Sequence, residues 1–449
     1  MFLNRILLIF FSALIFCNSG YAQKVWSLDD CIDYAMTHNL TIATFTIDQK
    51  TAKEDYRQSI RALLPTINGF SDYNIRYGRS IDPNNNTFIN TDFFSNNYFL
   101  DSNIDLFQGF QKLNAIKVAK YLNEAAIEDT YQQKYLLAFR VMQAYYDILF
   151  FQGMVEISKE QKAIAEANYQ LVERQVELGM KALSDLTESE SLLVQDKLTL
   201  TQSVNFLIDA KLKLIQEMNL DSNNIEVSPL LESELKTENQ NRISVDSVYS
   251  NALGFLPLIN SQKLRVEAAK KDLAVSRGNL YPSIQGFAGY TTGYYETFVT
   301  EAGDIIPFNE QITNNAAKYI GVSMVINISN GWSARSEVRK KKIALEKSKN
   351  DLELQKLEVF RIIQQLSQEQ SALRSEYEQS LQKRKTQELA FKIAQKKHEK
   401  GLININELFV VKNRFATAQN ENLQVVLKLK VNQSTIDFYN GIEVFNILK

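Results

Sequence analysis

Four short segments of the chain alternate between apolar and polar residues, which is the pattern of a β-strand with two different faces. The clearest of them are residues 66–77, 97–107 and 319–328. The fourth, residues 283–297, is rich in Gly and Tyr, and its alternation is less regular. Alternation over about ten residues is typical of transmembrane β-barrel strands, but taken alone it fits an ordinary half-buried strand better.

A helix is predicted before each pair of strands, over about residues 28–62 and 245–279. Each helix ends shortly before a proline, Pro65 or Pro282, because the residue before proline disfavours the α-helical region. The order helix, proline, strand, strand therefore occurs twice.

Much longer helices follow each pair of strands, over about residues 112–178 and 333–400. Each covers about 67 residues, or roughly 100 Å at a rise of 1.5 Å per residue. A Gly turn then reverses the chain into a second helix, at about residues 184–219 and 405–439. Heptad spacing of apolar residues predicts antiparallel coiled-coil hairpins. In the second long helix these residues are Leu345, Leu352, Val359, Leu366 and Leu373.

The two halves of the chain repeat each other, which is the most informative feature of the sequence. Residues 61–70 align with residues 278–287 at an offset of 217 residues, sharing a Leu, the Pro, an Ile and a Gly-Phe pair. Further on the offset is 222 residues, and Gly179 aligns with Gly401. The chain is therefore built from two copies of one unit.

The repeat defines five segments of the chain. A first repeat at residues 23–220 and a second at 244–442 are joined by a polar linker at 221–243. A signal peptide at 1–22 precedes them, and a short tail at 443–449 follows.

The first segment has the features of an export signal. An apolar run over residues 6–17 is followed by small residues, which predicts cleavage after Ala22. Cys17 leaves a lipoprotein as an alternative, although Phe16 stands where lipidation needs a small residue. After cleavage Cys31 is the only remaining cysteine, so no intrachain disulfide is expected. The mature sequence holds no apolar run of helical membrane-span length.

Composition excludes several classes of function. The net charge of −2 argues against a general nucleic-acid binder, which usually carries a basic surface. With 2 His and 2 Cys in the chain, a Cys/His metal site is not expected. The sequence contains no phosphate-binding loop, nucleophile elbow or zinc-protease motif. We therefore expect neither an enzyme nor a cofactor.

Strand number predicts an assembly if the strands span a membrane. Four strands cannot close a barrel, for which about eight is the small limit, and an open edge in lipid leaves backbone groups unpaired. Two chains would supply 8 strands and three would supply 12. The helices are also too long to pack into a compact globule, and they suit a tall tube.

The chain resembles TolC-like outer membrane efflux proteins over nearly its whole mature length. The motifs are short, but they occur twice in the same order and spacing. They are the junctions at Pro65 and Pro282, the strand exits Phe107–Phe110 and Asn330–Trp332, and the turns Glu177–Met180 and Glu399–Leu402.

The resemblance implies a mainly α fold with some β structure. Long antiparallel coiled-coil helices would form a periplasmic α-barrel, and four transmembrane β-strands per chain would complete a 12-stranded barrel in a homotrimer. Such a protein lies in the outer membrane of a Gram-negative bacterium, surrounded by outer membrane lipid and with a large periplasmic portion.

The resemblance also implies a function. The protein would be the exit duct of a tripartite efflux or type I secretion system, passing small molecules or proteins to the exterior. Its partners would be a periplasmic adaptor (membrane fusion) protein and an inner membrane pump of the RND or ABC type. A periplasmic coiled-coil adaptor or scaffold without a pore is the alternative, although the chain lacks the small β-module such adaptors carry between their helices.

The candidate functional residues lie at the two Gly turns, where adaptor hairpins dock in this family. The docking candidates are Gly179, Met180, Ser184, Asp185, Gly401, Leu402 and Asn404, and the candidate entrance acids are Asp185 and Glu407. An acidic ring of this kind would favour cations in the pore.

Each of these residues also has a purely structural interpretation. Gly179 and Gly401 suit the residue after a helix, where φ is positive. Asn404 and Glu407 form a capping-box pattern, and Ser184 is a candidate cap for the other turn. A second entrance acid is frequent in the family, but Val410 stands at that position here.

Overall fold

The structure is a computed structural model. It describes residues 25–81, 86–90, 92–229, 244–445 and 447. The predicted signal peptide, residues 1–22 with Cys17, and most of the predicted linker, 221–243, lie outside this part of the chain.

Nine helices are present among the described residues. They are α1 (Leu28–His38), α2 (Leu40–Arg61), α3 (Gln111–Glu177), α4 (Leu183–Met218), α5 (Val245–Phe255), α6 (Pro257–Gly278), α7 (Phe308–Asn314), α8 (Ser333–Glu399) and α9 (Ile405–Tyr439). The two longest, α3 and α8, have 67 residues each, as predicted. No helix in the described ranges is both long and apolar enough to cross a membrane.

The described strands form one main sheet and two small pairs. They are β1 (Val25–Trp26), β2 (Thr66–Arg76), β3 (Arg79–Ile81), β4 (Phe88–Asn90), β5 (Phe93–Gln108), β6 (Glu226–Val227), β7 (Ser283–Tyr295) and β8 (Ala317–Val325). The four predicted strands are β2, β5, β7 and β8, and their ends differ from the predicted ones by up to four residues.

The predicted single helix before each sheet segment is wrong, because both are broken after 11 residues. Asn39 has an extended conformation, and its Oδ1 accepts hydrogen bonds from the Thr41 and Ile42 amides, so that it caps α2. In the second half Leu256 precedes Pro257, and a residue before proline leaves the helical region.

The chain divides into two compact units, and each draws segments from both halves of the sequence. The first unit comprises residues 1–46, 130–257 and 356–449, and the second comprises 47–129 and 258–355.

The first unit has a helical core. Leu137, Val141 and Ile148 of α3 are fully buried against Leu214 of α4 and the α1 residue Cys31. Cys31 is a free, buried thiol. A short parallel pairing of β1 with β6 also belongs to this unit and joins the start of the described chain to the end of the first half.

The second unit contains a four-stranded antiparallel sheet in the order β2-β5-β7-β8. The strands β5 and β7 lie in the centre. Within the described residues, β2 and β8 each pair on one side only. The sheet therefore has two open edges, at which backbone donors and acceptors point away from the sheet.

The two faces of this sheet differ in chemistry, as the sequence alternation predicts. One face carries apolar residues that are more than half exposed: Ile67, Tyr73, Leu100, Ile320, Val322 and Met324. An apolar face of this size without a covering layer marks a contact surface for lipid or protein.

The opposite face combines hydrogen-bonded polar residues with the aromatic rings of Phe70, Phe99 and Phe287. Asp72 accepts hydrogen bonds from the backbone and side-chain nitrogens of Asn97, at 2.9 and 2.8 Å. The Tyr319 hydroxyl donates to Asp101 at 2.6 Å. These contacts link β2 to β5 and β8 to β5, so they stabilise the sheet on the face that suits water.

A close glycine contact joins the end of the sheet to its helices. A Cβ at Gly109, where φ is +57°, would lie 2.5 Å from the carbonyl oxygen of Gly278. Gly109 directly follows β5, and Gly278 ends α6. Both the positive φ and the approach of the two backbones therefore require glycine.

We expect Gly109→Ala to lower the stability of the protein, since a left-handed conformation costs a residue with a Cβ about 1–2 kcal/mol before the steric overlap is added. Gly254→Ala is the matched control, because Gly254 lies in α5 with open space around it. That change should be neutral or stabilise by up to about 1 kcal/mol. Thermal unfolding followed by circular dichroism compares the two, and equal melting temperatures would contradict the packing argument.

Candidate functional site

The first candidate turn joins α3 to α4. Gly179 has φ +72°, and its amide donates to the Val176 carbonyl at 2.9 Å. The Met180 amide donates to the Gln175 carbonyl at 2.8 Å. These two bonds form a Schellman motif, which satisfies carbonyls at the end of α3 that have no partner within the helix.

The second candidate turn, between α8 and α9, repeats this geometry. Gly401 also has φ +72°, and its amide donates to the His398 carbonyl at 2.8 Å. The Leu402 amide donates to the Lys397 carbonyl at 2.9 Å. The predicted positive φ at both glycines is confirmed. Since a Cβ at either position would meet open space, conformation and not crowding selects glycine there.

The start of α9 is capped by a side chain, as predicted. Asn404 Oδ1 accepts from the Glu407 amide at 2.8 Å. The side-chain Nδ2 of Asn404 donates to Glu407 Oε1 at 3.0 Å, so this second bond joins the two side chains. Glu407 is thus held at the turn with its carboxylate in water.

The predicted cap by Ser184 is wrong. The helix α4 already begins at Leu183, and Ala182 is the extended residue before it. The Ala182 amide donates to Asp185 Oδ2 at 3.2 Å, so Asp185 supplies half of a capping box. Ser184 lies exposed in the first turn of the helix, where its side chain is past the capping position.

The two turns lie side by side within the first unit. Asn406 of α9 donates a hydrogen bond to Glu188 of α4. Beneath the turns, Ile405 and Leu408 pack against Leu192 of α4 and Ile164 of α3. The structure therefore brings the two predicted sets of residues into one site.

Exposed leucine and methionine side chains surround this site. We call them the tip surface, and its members are Leu178, Met180, Leu183 and Leu402, each about 70% exposed. Met180 and Leu402 were predicted as site residues from the sequence, whereas Leu178 and Leu183 were not. The signal was available, because both are large apolar residues that directly flank the turn at Gly179.

The two candidate acids of the site are both held by hydrogen bonds at the helix starts. Glu407 is exposed and Asp185 is partly exposed, and each carboxylate is held by a cap contact rather than by a base or nucleophile. The described residues contain no group of His, Cys, Asp and Glu that would hold a metal ion. Apolar side chains thus lie beside carboxylates at the surface of the two turns.

Comparison with protein families gives one match over most of the chain. The profile of the outer membrane efflux protein family matches residues 31–219 and 248–441. Comparison with curated protein sequences gives no match.

Several solved structures share the fold. The CmeC outer membrane channel of Campylobacter jejuni is 14% identical with a TM-score of 0.81, over 94% of this chain and 87% of that one. The outer membrane protein VceC of Vibrio cholerae is 14% identical with a TM-score of 0.74, over 92% and 96%. The Neisseria gonorrhoeae MtrE outer membrane channel, in its open state, is 14% identical with a TM-score of 0.75, over 93% and 89%.

The asymmetric caps of the two turns give a testable prediction. Ala182→Ser adds a missing side-chain cap and should stabilise the start of α4 by about 1 kcal/mol, whereas Asn404→Ala should destabilise the start of α9 by a similar amount. Hydrogen exchange of the first-turn amides, measured by mass spectrometry, should slow in the first variant and quicken in the second. Unchanged hydrogen exchange in both variants would show that the caps do not stabilise the helix starts.

Proposed function

The chain belongs to the outer membrane efflux protein family, and from this premise we propose that three copies assemble into one conduit. The protein is an exit duct of an efflux system in the outer membrane, with a large periplasmic portion. Its family and fold are those of channels. The trimer, its partners and the use of its tips are our proposals.

The observation that supports an assembly of several copies is the open four-stranded sheet, and the number three follows the resemblance to the family. In lipid, each unpaired backbone group costs several kcal/mol, so the edges at β2 and β8 require partners. Pairing β8 of one copy with β2 of the next adds four strands per chain. Three chains give 12 strands, which falls in the range of closed membrane barrels. The apolar face would then contact lipid and the polar face would line the lumen.

The helical hairpins supply the periplasmic part of the duct. At 1.5 Å per residue, the 67 residues of α3 or α8 extend for about 100 Å. Three copies would contribute twelve helices to a tunnel, four from each chain. Small molecules or secreted proteins would pass through it from an inner membrane pump of the RND or ABC type.

We assign the tip surface to docking of the periplasmic adaptor protein. The exposed Leu178, Met180, Leu183 and Leu402 offer apolar contacts to a helical hairpin of the adaptor. Asp185 and Glu407 would place six carboxylates around the entrance of a trimer. Since the Glu407 carboxylate accepts a hydrogen bond from the Asn404 side chain and Val410 stands where a second acid is frequent in the family, this ring would carry one acid per turn.

A periplasmic scaffold without a pore accounts for the hairpins but not for the sheet. The apolar face with Ile320, which is 88% exposed, would remain in water. Exposed apolar surface of this extent is rare in soluble monomers. The conduit explains both parts of the chain.

Electron microscopy of the detergent-solubilised mature protein tests the assembly. We expect particles with three-fold symmetry, a detergent belt at one end and a tube about 100 Å long below it. Elongated particles with neither a detergent belt nor a lumen would contradict the conduit. A periplasmic scaffold without a pore would then be the better explanation.

Replacement of both tip glycines tests the docking site. Gly179→Val with Gly401→Val forces a β-branched residue into positive φ, which distorts both turns. We expect export to be lost while trimers still reach the outer membrane. The control is Asn at both positions, since Asn tolerates this conformation and should retain export. Normal export by the valine variant would contradict the proposal that the adaptor docks at these two turns.

A further inference from the structure

A cavity of about 350 Å³ lies in the first unit and is lined by residues of α3, α8 and α9. Sites for small organic molecules have volumes of about 300–1,000 Å³. Such sites are lined mostly by apolar side chains, with a few polar groups that fix the orientation of the ligand. The cavity has the size of a small-molecule site, and its lining has both an apolar and a polar part.

Apolar side chains from all three helices form one part of the lining. They are Phe150 of α3, Leu366 of α8, and Leu427 and Val431 of α9. Leu427 is 4% exposed and belongs to the hydrophobic core of the unit, against which Phe150 and Val431 pack. The core therefore holds this part of the wall in place, and the wall favours the apolar body of a ligand over water.

A buried polar side chain, Asn432 of α9, lines the same cavity. It is 4% exposed, and its Nδ2 donates to the Leu366 carbonyl at 3.1 Å and to Glu369 Oε2 at 3.4 Å. Its Oδ1 has no hydrogen-bond partner among the described residues. Exchanging the two side-chain atoms would place Oδ1 against two other acceptors, so the unpaired group is an acceptor.

The unpaired oxygen of Asn432 needs a donor, because an acceptor buried without a partner is costly. A water molecule or an N–H group of a bound ligand would each supply one. The volume of one water in the liquid is about 30 Å³, so the cavity has room for a much larger molecule. A ligand that brings the donor together with an apolar body would satisfy both parts of the lining.

The charges of the lining favour a cation. Two carboxylates, Asp147 and Glu369, and one ammonium, that of Lys428, line the cavity. Lys428 is exposed, so its long side chain can direct the ammonium into water. Glu369 lies beside the Asn432 amide. A positively charged donor at this position would therefore meet a neutral acceptor and a carboxylate together, which gives the stronger, charge-assisted hydrogen bonds.

We propose that this cavity binds a small amphiphilic amine, that is, an organic cation with an apolar body and an N–H donor. The donor would bind Asn432 Oδ1 next to the Glu369 carboxylate, and the apolar body would lie against Phe150 and Leu427. The binding site lies within one chain, so it goes beyond the proposed conduit and does not depend on the assembly of three copies.

Equilibrium dialysis of the purified full-length protein in a neutral detergent tests the site, with micelles alone as the blank. The three probes share one flat ring system: 9-aminoacridine is a cation with amino donors, acridine is neutral near pH 7.5 and has no donor, and acridine-9-carboxylate is an anion. We expect saturable binding of 9-aminoacridine, weaker binding of acridine by about tenfold, and the weakest binding for the carboxylate.

Two exposed residues of the lining give variants that leave the core intact. Glu369→Gln removes the charge with little change of shape, and Gln424→Trp fills the cavity from its rim. We expect the first to weaken the binding of 9-aminoacridine by about fivefold and the second to abolish it. Glu376→Gln is the matched control, because it removes an exposed carboxylate of the same helix outside the cavity lining. It should bind 9-aminoacridine as wild type does.

A third variant tests the contact with the donor. Asn432→Leu removes the acceptor and should weaken the binding of 9-aminoacridine by about tenfold, while the binding of acridine is unchanged. A melting curve followed by circular dichroism checks that the variant is folded. Equal loss of both probes in the folded variant would overturn the assignment of Asn432 Oδ1 to the ligand donor.

The remaining outcomes each decide the proposal. Absence of saturable 9-aminoacridine binding is the result expected of a cavity that holds only water, and it would overturn the site. Tighter binding of acridine-9-carboxylate, or binding of 9-aminoacridine that Gln424→Trp leaves unchanged, would overturn it as well. Electron microscopy of the assembly decides the conduit separately. Cation binding by a protein that forms no three-fold particles would retain the site and contradict the duct.

Discussion

The unpaired backbone along β2 and β8 is the constraint on which the rest of the structure depends. A sheet of four strands with one apolar face is stable neither in water nor alone in lipid, since its edges and its face demand different surroundings. Pairing the β8 edge of one copy with the β2 edge of the next would give the backbone groups their hydrogen-bond partners. Turning the apolar face outward would place its side chains in lipid. The long helices have a buried core of their own in the first unit.

Much of this fold is predictable from the sequence because the apolar residues recur at regular spacing over long segments that end at glycine or proline. The 67-residue helices repeat their apolar positions many times, and each ends at a glycine whose positive φ stops the helix. The break at Asn39 was missed because a helical pattern continues on both sides of it. The break before Pro257 is indicated by the proline itself, but the helical spacing of apolar residues on both sides favoured one continuous helix. The short α7 has too few residues to show a period.

The candidate site was predictable to a different extent. Glycine turns and the Asn404 cap are local, so nearby residues reveal them. The buried contact of Lys412 on α9 with Asp196 on α4 joins positions 216 residues apart, and no local pattern specifies the partner. What the sequence does show is a lysine in a row of apolar positions. A charge at such a position indicates a buried partner without identifying it.

The free thiol of Cys31 has a consequence for the life of the protein after export. It lies fully buried among α1, α3 and α4 in the finished fold. In an oxidising compartment an exposed thiol is open to mixed disulfides, whereas a buried one is inert. Folding therefore removes this thiol from the reach of oxidants. The chemical state of this sulfur would record whether a molecule completed its core before oxidants reached it.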